Sequence, residues 1–265
     1  TGSTSLPNNT YLVRDTTYAY FIPGTFTRKF LAIRPSFGSG ESFQFGLNFM
    51  KAKDDVASIK RGILPQENLV TGLDLLVAFD DQRFKWETQG MLSLTNTDIS
   101  DGSFTDADYD QFAQSDSATA DELKRIGNIA SKIITVNENL YPSNPVGKGL
   151  PSVAFESAVT INYFNNYISG AFFHRGASYK SFGNDFLQTD IQGFFVSDRV
   201  RMFENRAFLS LSYESKHDNT ADTKEGTTDY RNMNASLTVN PRDFPSLSFG
   251  YGFNNRVADY NIFDP

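Results

Sequence analysis

"VTINYFNNYISGAFF", residues 159–173, decides how the rest of the chain is read. Val159, Ile161 and Tyr163 share one parity, and Thr160 and Asn162 share the other. Side chains on a strand alternate between faces, so this is a strand with one apolar and one polar side. Asn165 and Asn166 read as the turn, and a second, more apolar strand follows. What the apolar side meets, a packed core or lipid, is a question for the whole chain.

The same alternation recurs. Phe43, Phe45, Leu47 and Phe49 oppose Gln44, Gly46 and Asn48; Leu73, Leu75, Val77 and Phe79 oppose Asp74 and Ala78. Phe84, Trp86, Thr88, Leu92 and Leu94 oppose Lys85, Glu87, Gln89 and Ser93. Leu209, Leu211 and Tyr213 oppose Ser210, Ser212 and Glu214; Met233, Ala235, Leu237 and Val239 oppose Asn232, Asn234, Ser236 and Thr238. Leu247, Phe249, Tyr251 and Phe253 oppose Ser248, Gly250 and Gly252. Less regular strands fit 28–37, 167–175 and 189–202. The reading is about ten strands of roughly 9 to 13 residues, long against the usual five or six.

The connections alternate in length. They are short at 38–41, 80–83, 164–167, 203–206 and 240–245, and long at about 52–68, 97–152, 176–188 and 215–228. Aromatic residues border the short ones: Phe37 and Phe43, Phe79 and Phe84, Tyr163 and Tyr167, Phe203 and Phe208, and Phe244. Tight turns at one end, long loops at the other and a ring of aromatics at one level are the pattern of transmembrane barrels. Aromatic cross-strand pairs also stabilise ordinary hairpins, which is the plainer reading of any single turn.

Composition narrows the classes further. A net charge of −7 argues against nucleic acid as a partner, because phosphate recognition needs clustered Lys and Arg. The absence of cysteine excludes disulfides and thiolate metal sites. No run approaches the roughly 18 apolar residues a membrane helix needs, so any crossing must use strands.

On these features the chain resembles the outer-membrane β-barrel proteins of Gram-negative bacteria. The segment "YKSFGNDFLQTDIQGFFVSDRVRMFENRAFLSLSYESKHDNT", 179–220, is similar to segments of large barrels of the Bacteroidota–Chlorobi group. The resemblance implies location and architecture: an antiparallel all-β barrel in an outer membrane, bathed in its lipid. It transfers no catalytic residues and no cofactor.

The remaining motifs carry little chemistry. There is no Walker A loop, nucleophile elbow or HExxH motif, and enzyme function is not expected. Residues 97–152 form one long insertion with a helix expected over 119–133, its apolar stripe being Leu123, Ile126, Ala130 and Ile133, weakened by Gly127. This insertion reads as an external cap or as a loop folded into a pore mouth. Asp101, Asp106, Asp108 and Asp110 are loose calcium candidates, but Gln111 stands where a calcium loop needs Gly, and a solvated acidic loop is the simpler account. His174 and Ser178 are a candidate hydrolase pair by spacing but have no supporting motif; His217 lies in "KHDN". Asp74, Lys85, Glu87, Glu156 and Glu214 are candidates for lining a lumen and tuning ion selectivity.

The expectation is therefore a single domain over 1–265, a porin-like channel for small solutes. Alternatives are a structural or secretion-related barrel that binds a partner through its loops, and a soluble secreted β-sandwich or solenoid that binds glycans. With every short turn on one side, residues 1–25 and 256–265 fall on the other, so further strands, from a longer chain or from partner chains, are expected at both edges.

Overall fold

The computed structural model describes residues 2–6, 10–14, 19–22, 24–60, 62–112, 117–184 and 186–260. Three short strands, β1 (Gly2–Leu6), β2 (Thr10–Arg14) and β3 (Ala19–Ile22), form an antiparallel sheet in the order β1-β2-β3. Everything else is organised by one 12-stranded antiparallel sheet.

Its members are β4 (Arg28–Ile33), β5 (Ser36–Gly38), β6 (Phe43–Asp54), β7 (Glu67–Phe79), β8 (Phe84–Asn96), β9 (Leu140–Tyr141), β10 (Val153–Tyr163), β11 (Asn166–Arg175), β12 (Ile191–Met202), β13 (Ala207–Asp218), β14 (Gly226–Val239) and β15 (Leu247–Tyr260). The order is β15-β14-β13-β12-β11-β10-β8-β7-β6-β4, with β5 beside β6 and β9 beside β8. Consecutive long strands are neighbours throughout, a meander. The expected strand over 28–37 is split into β4 and β5 because Pro35 has no amide to give the ladder. Proline is tolerated there because this strand is an edge. The sheet is open: β4 and β15 are its two edges and do not pair with each other.

The register fixes two faces. One row reads Phe43, Val77, Trp86, Val159, Gly170, Val196, Tyr213, Met233 and Phe253, each opposite the next on neighbouring strands. A row on the other face reads Ala78, Lys85, Thr160, Ser169, Ser197, Ser212, Asn234 and Gly252. The apolar face is banded, turning polar toward the long loops at Lys51, Lys53, Glu67, Asn96, His217, Asp229 and Arg231.

One expected turn is displaced. The two-residue connection after β10 is Phe164–Asn165, with φ of 51° and 63°, and Tyr163 pairs with Asn166. Two positive φ values at the centre make the primed turn that matches strand twist. The turn sits one residue earlier than Asn165–Asn166, which shifts the β10–β11 register by two residues and leaves the facing of β11 unchanged. Ile168, opposite Ile161, and Phe172 lie on the apolar face, and Tyr167, opposite Asn162, lies on the polar one. Phe208, opposite Arg201, is also on the polar face. Neither belongs to an apolar-side aromatic ring, which corrects the expectation for these two.

The long loop after β13 is also shorter than expected. Strand pairing runs to Asp218 and resumes at Gly226, leaving 219–225, no longer than the last turn at 240–246. Asn219 holds it closed, donating to the carbonyls of Lys224 and Gly226 and accepting from the amides of Thr223 and Lys224.

Burial is inverted relative to an ordinary globular domain. The largest fully buried side chains are Glu67, Asn68, Asn96, Ser93 and Ser152, all polar and all near the long-loop end. The large apolar side chains are exposed instead, among them Leu31, Leu47, Leu73, Phe155, Phe172, Phe194, Leu211, Met233, Phe249 and Tyr251. These ten lie on one face. A contiguous exposed apolar patch of this extent marks an interaction surface.

Candidate functional site

The polar face carries the expected charged residues, and it pairs them. Asp74 accepts three hydrogen bonds from Arg34, the shortest at 2.6 Å, and one from Asn48 at 3.3 Å. Gly46, directly across the ladder, leaves the space that the Asp74 carboxylate occupies. Lys85 sits 2.8 Å from Glu87, Arg175 3.6 Å from Glu156 and Lys216 3.0 Å from Glu214, which also accepts from Asn232. Arg28 grips Asp54 at 2.7 Å at the edge. Asp218 accepts from the Thr228 amide. Part of this face, lined by Arg34, Gln44, Asp74, Glu87, Gln89 and Glu156, encloses a pocket of about 350 Å³.

Three arginines complete the face without being foreseen. Arg199 and Arg201 lie opposite Ser210 and Phe208 on β13, and Arg256 lies opposite Tyr230 with its guanidinium 5.3 Å from that ring centre. Among the described residues none of the three has a carboxylate partner. Their signal was present in "SDRVRM", where Arg-x-Arg on a strand places both cations on one side. Asp198, between them and Ser197, faces the other way, among Ile168, Val196, Val200 and Leu211, and its Oδ1 is buried without a hydrogen-bond partner.

Loops close both faces at the long-loop end. The segment 180–183 lies on the polar face: the Lys180 carbonyl accepts from Asn68 and from Ser93, and the Phe182 amide donates to Asn68 at 3.1 Å. The long insertion does not take this position. Its residues 133–137 lie on the opposite side, where Lys51 donates to the Ile133 carbonyl, the Thr135 amide donates to Glu67, and Asn96 donates to the Thr135 carbonyl. Glu67, fully buried there, is flanked by Lys51 at 2.8 Å and Lys53 at 3.5 Å.

The insertion contains α1 (Asp106–Phe112) and α2 (Ser117–Ala130), the second beginning and ending earlier than expected. Gly127 is more than a weak helix former: Tyr109 packs where its Cβ would be. The calcium candidates do not assemble. Asp108 caps α1, accepting from the Thr105 amide and hydroxyl, Asp110 pairs with Lys124 at 2.6 Å, and the described residues hold no cluster of three acids or histidines. Among the described residues Asp101, Asp106, Asp108 and Asp110 do not converge on a point: Asp106, Asp108 and Asp110 lie along α1 and Asp101 precedes it. His174 and Ser178 do not pair either; His174 meets Gln192 and the Leu150 carbonyl, and Ser178 donates to Tyr141.

A second loop junction joins 176–190 to 219–225. Asp190 accepts from the Thr220 amide and hydroxyl and pairs with Lys224. Burial pushes the Asp190 carboxyl up, but the bonds from Lys224 and Thr220 outweigh it and hold it below the usual carboxylate range.

At the short-turn end, aromatics gather. Phe79 stacks on Phe84 with ring centres 4.4 Å apart, and Phe37, Phe203 and Phe244 are exposed in or beside their turns. Phe164, inside its turn and 92% exposed, adds to them. Phe43 and Tyr163 lie at the neighbouring strand ends, on the apolar face.

The fold and its two faces define an all-β protein built on one open antiparallel sheet. Among the described residues no helix is long and apolar enough to cross a membrane. The chain matches no protein-family model, no curated protein and no solved structure.

Proposed function

We propose that this chain forms the wall of an outer-membrane β-barrel whose polar face lines a passage for small solutes. One observation carries the reading: large apolar side chains stand exposed on one face of ten neighbouring strands, while the largest fully buried side chains are polar. Each Leu, Phe or Met is worth about 1.5–3 kcal/mol when fully buried. Leaving so many in water is hard to reconcile with the roughly 5–15 kcal/mol by which domains are stable. Lipid removes that cost. Strands of this length, apolar-side charge gathered at the long-loop end with Asp198 the exception, and aromatics at the turn end suit a bilayer.

In lipid, strand edges must be satisfied, so the edges at β4 and β15 pair with further strands, of a longer chain or of partner chains. A glycan-binding sandwich would need a second sheet over the apolar face. A barrel that docks a partner through its loops is the second reading, favoured by the exposed Ile126 and Ile129 of α2.

The test is direct. Purified protein should need detergent, migrate on gels in a heat-modifiable way and conduct ions in planar bilayers. Protein monomeric and soluble without detergent would end the membrane reading. Heat-modifiable protein that never conducts would favour the partner-docking barrel.

A further inference from the structure

The uncompensated charge of the polar face is positive, although the chain as a whole carries −7. The carboxylates of Asp54, Asp74, Glu87, Glu156 and Glu214 are each held by a cation, and Asp218 by an amide. The cations left over are Arg199, Arg201 and Arg256. Much of the acidity lies elsewhere, in loop residues such as Asp101, Asp106, Asp121 and Glu122.

Arg199 borders an open trough of about 650 Å³ that crosses β11 to β15. Beyond Arg199, its polar-face lining is Tyr167 and Phe195 on the β11–β12 side and the small residues Ser197, Ser210, Ser212, Asn234 and Ser236 with Gly250 and Gly252 toward β15. On β13, β14 and β15 that lining holds no side chain larger than asparagine, and a Cβ added at Gly250 would meet nothing within 4 Å. Ser197 and Ser212 face each other across β12 and β13, as do Ser210 and Ser236 across β13 and β14. The nearest acid in sequence, Asp198, projects from the opposite face. A guanidinium with free donors, over hydroxyls that also donate, matches an oxyanion: planar forks bind carboxylate and phosphate in two-point fashion.

We propose that this trough is a binding site for small oxyanions, carboxylates or phosphates, with Arg199 and Arg201 supplying the charge and the serine hydroxyls completing the hydrogen bonds. It deepens the preceding reading, since it rests on the polar face lining a passage. Solutes with such groups would be concentrated on this wall, and the passage would prefer anions.

Inorganic phosphate is the probe. Titrated into the full chain in detergent and followed by phosphorus NMR line width, phosphate should bind saturably. The Arg199→Gln/Arg201→Gln variant should bind about tenfold or more weakly. Arg199→Lys, which keeps the charge and loses the fork, should fall between. Arg256→Gln should bind like the parent and serves as the control for general surface charge. Heat-modifiable migration of each variant reports that the sheet still forms. Equal phosphate binding by the parent and the double variant, or equal loss in Arg256→Gln, would overturn the site. In planar bilayers the reversal potential should show anion preference that the double variant loses. A chain that binds phosphate through Arg199 but never conducts would overturn the passage and leave the site standing.

Discussion

Gly46 lies directly opposite Asp74 in the β6–β7 ladder, and a Cβ there would come within 2.1 Å of the Asp74 carboxylate. The missing side chain is what lets Asp74 reach Arg34 and Asn48. We predict that Gly46→Ala destabilises the protein by about 1–3 kcal/mol through overpacking. In an Asp74→Ala background the same change should cost much less. Denaturant unfolding of the single and double variants measures the coupling, and simple additivity would refute the contact.

The two faces predict opposite tolerances at adjacent positions. Leu237 lies between Leu209 and Phe249 on the apolar face, and Ser236 between Ser210 and Gly250 on the polar one. Arginine at Leu237 is expected to cost on the order of 2–4 kcal/mol if that position lies deep in the bilayer, and at Ser236 far less. Leu211 is the poorer site for this test because Asp198 stands opposite and would receive the new charge. Folding into vesicles under urea gives both values; similar costs would argue against lipid on the apolar side.

Gly127 should resist the usual helix improvement. Glycine to alanine within a helix ordinarily gains about 1 kcal/mol. Here the added methyl meets the buried Tyr109 ring and hydroxyl, at 2.0 Å for the nearest atom. Gly127→Ala is expected to loosen α1 from α2 and speed proteolysis within 101–135. Tyr109→Phe should be harmless, because the Tyr109 hydroxyl is buried without a hydrogen-bond partner.

The Asp190–Lys224 junction sets a pH window for one loop. The folded Asp190 carboxyl lies below its unfolded value, so its contribution is complete above about pH 4 and is lost as pH falls through the folded value. For Lys224, the hydrogen bond to Asp190 raises the ammonium above its usual value, so that contribution is complete below about pH 10 and lost in stronger base. Amide protection in 219–225, corrected for intrinsic exchange, should therefore be flat through neutral pH and fall in acid. Asp190→Asn should abolish the acid step; an unchanged acid step would place its cause elsewhere.

Loop deletions should separate the two coverings of the sheet. Replacing 180–183 with a short flexible link uncovers Asn68 and Ser93 on the polar face and is expected to raise single-channel conductance. Removing 106–130 while keeping 133–137 should leave conductance unchanged, since the retained segment packs on the other side. The reverse outcome would return the long insertion to the pore mouth.

Residues 43–49, 73–79, 209–213 and 247–253 announce their facing without help, because a strand's side chains alternate with a period of two and neighbouring residues suffice to show it. The number of long strands, the division into two faces and the aromatics beside the turns were legible for the same reason. The β10–β11 register was not, because one residue's difference in turn position, Phe164–Asn165 instead of Asn165–Asn166, moves every cross-strand pair by two residues. Nor was the compensation of charge: Arg34 meets Asp74 across two strands, while among the described residues Arg199 and Arg201 meet no carboxylate, and only the register decides which cations are left over. The loop on the polar face was equally hidden, since Lys180 and Asn68 are 112 residues apart and nothing local to either marks the bond. Alternation is a property of neighbours in sequence and survives in any stretch read alone. Pairing across the sheet, and the loop that settles on each face, are properties of neighbours in space, created only when the strands fall into register.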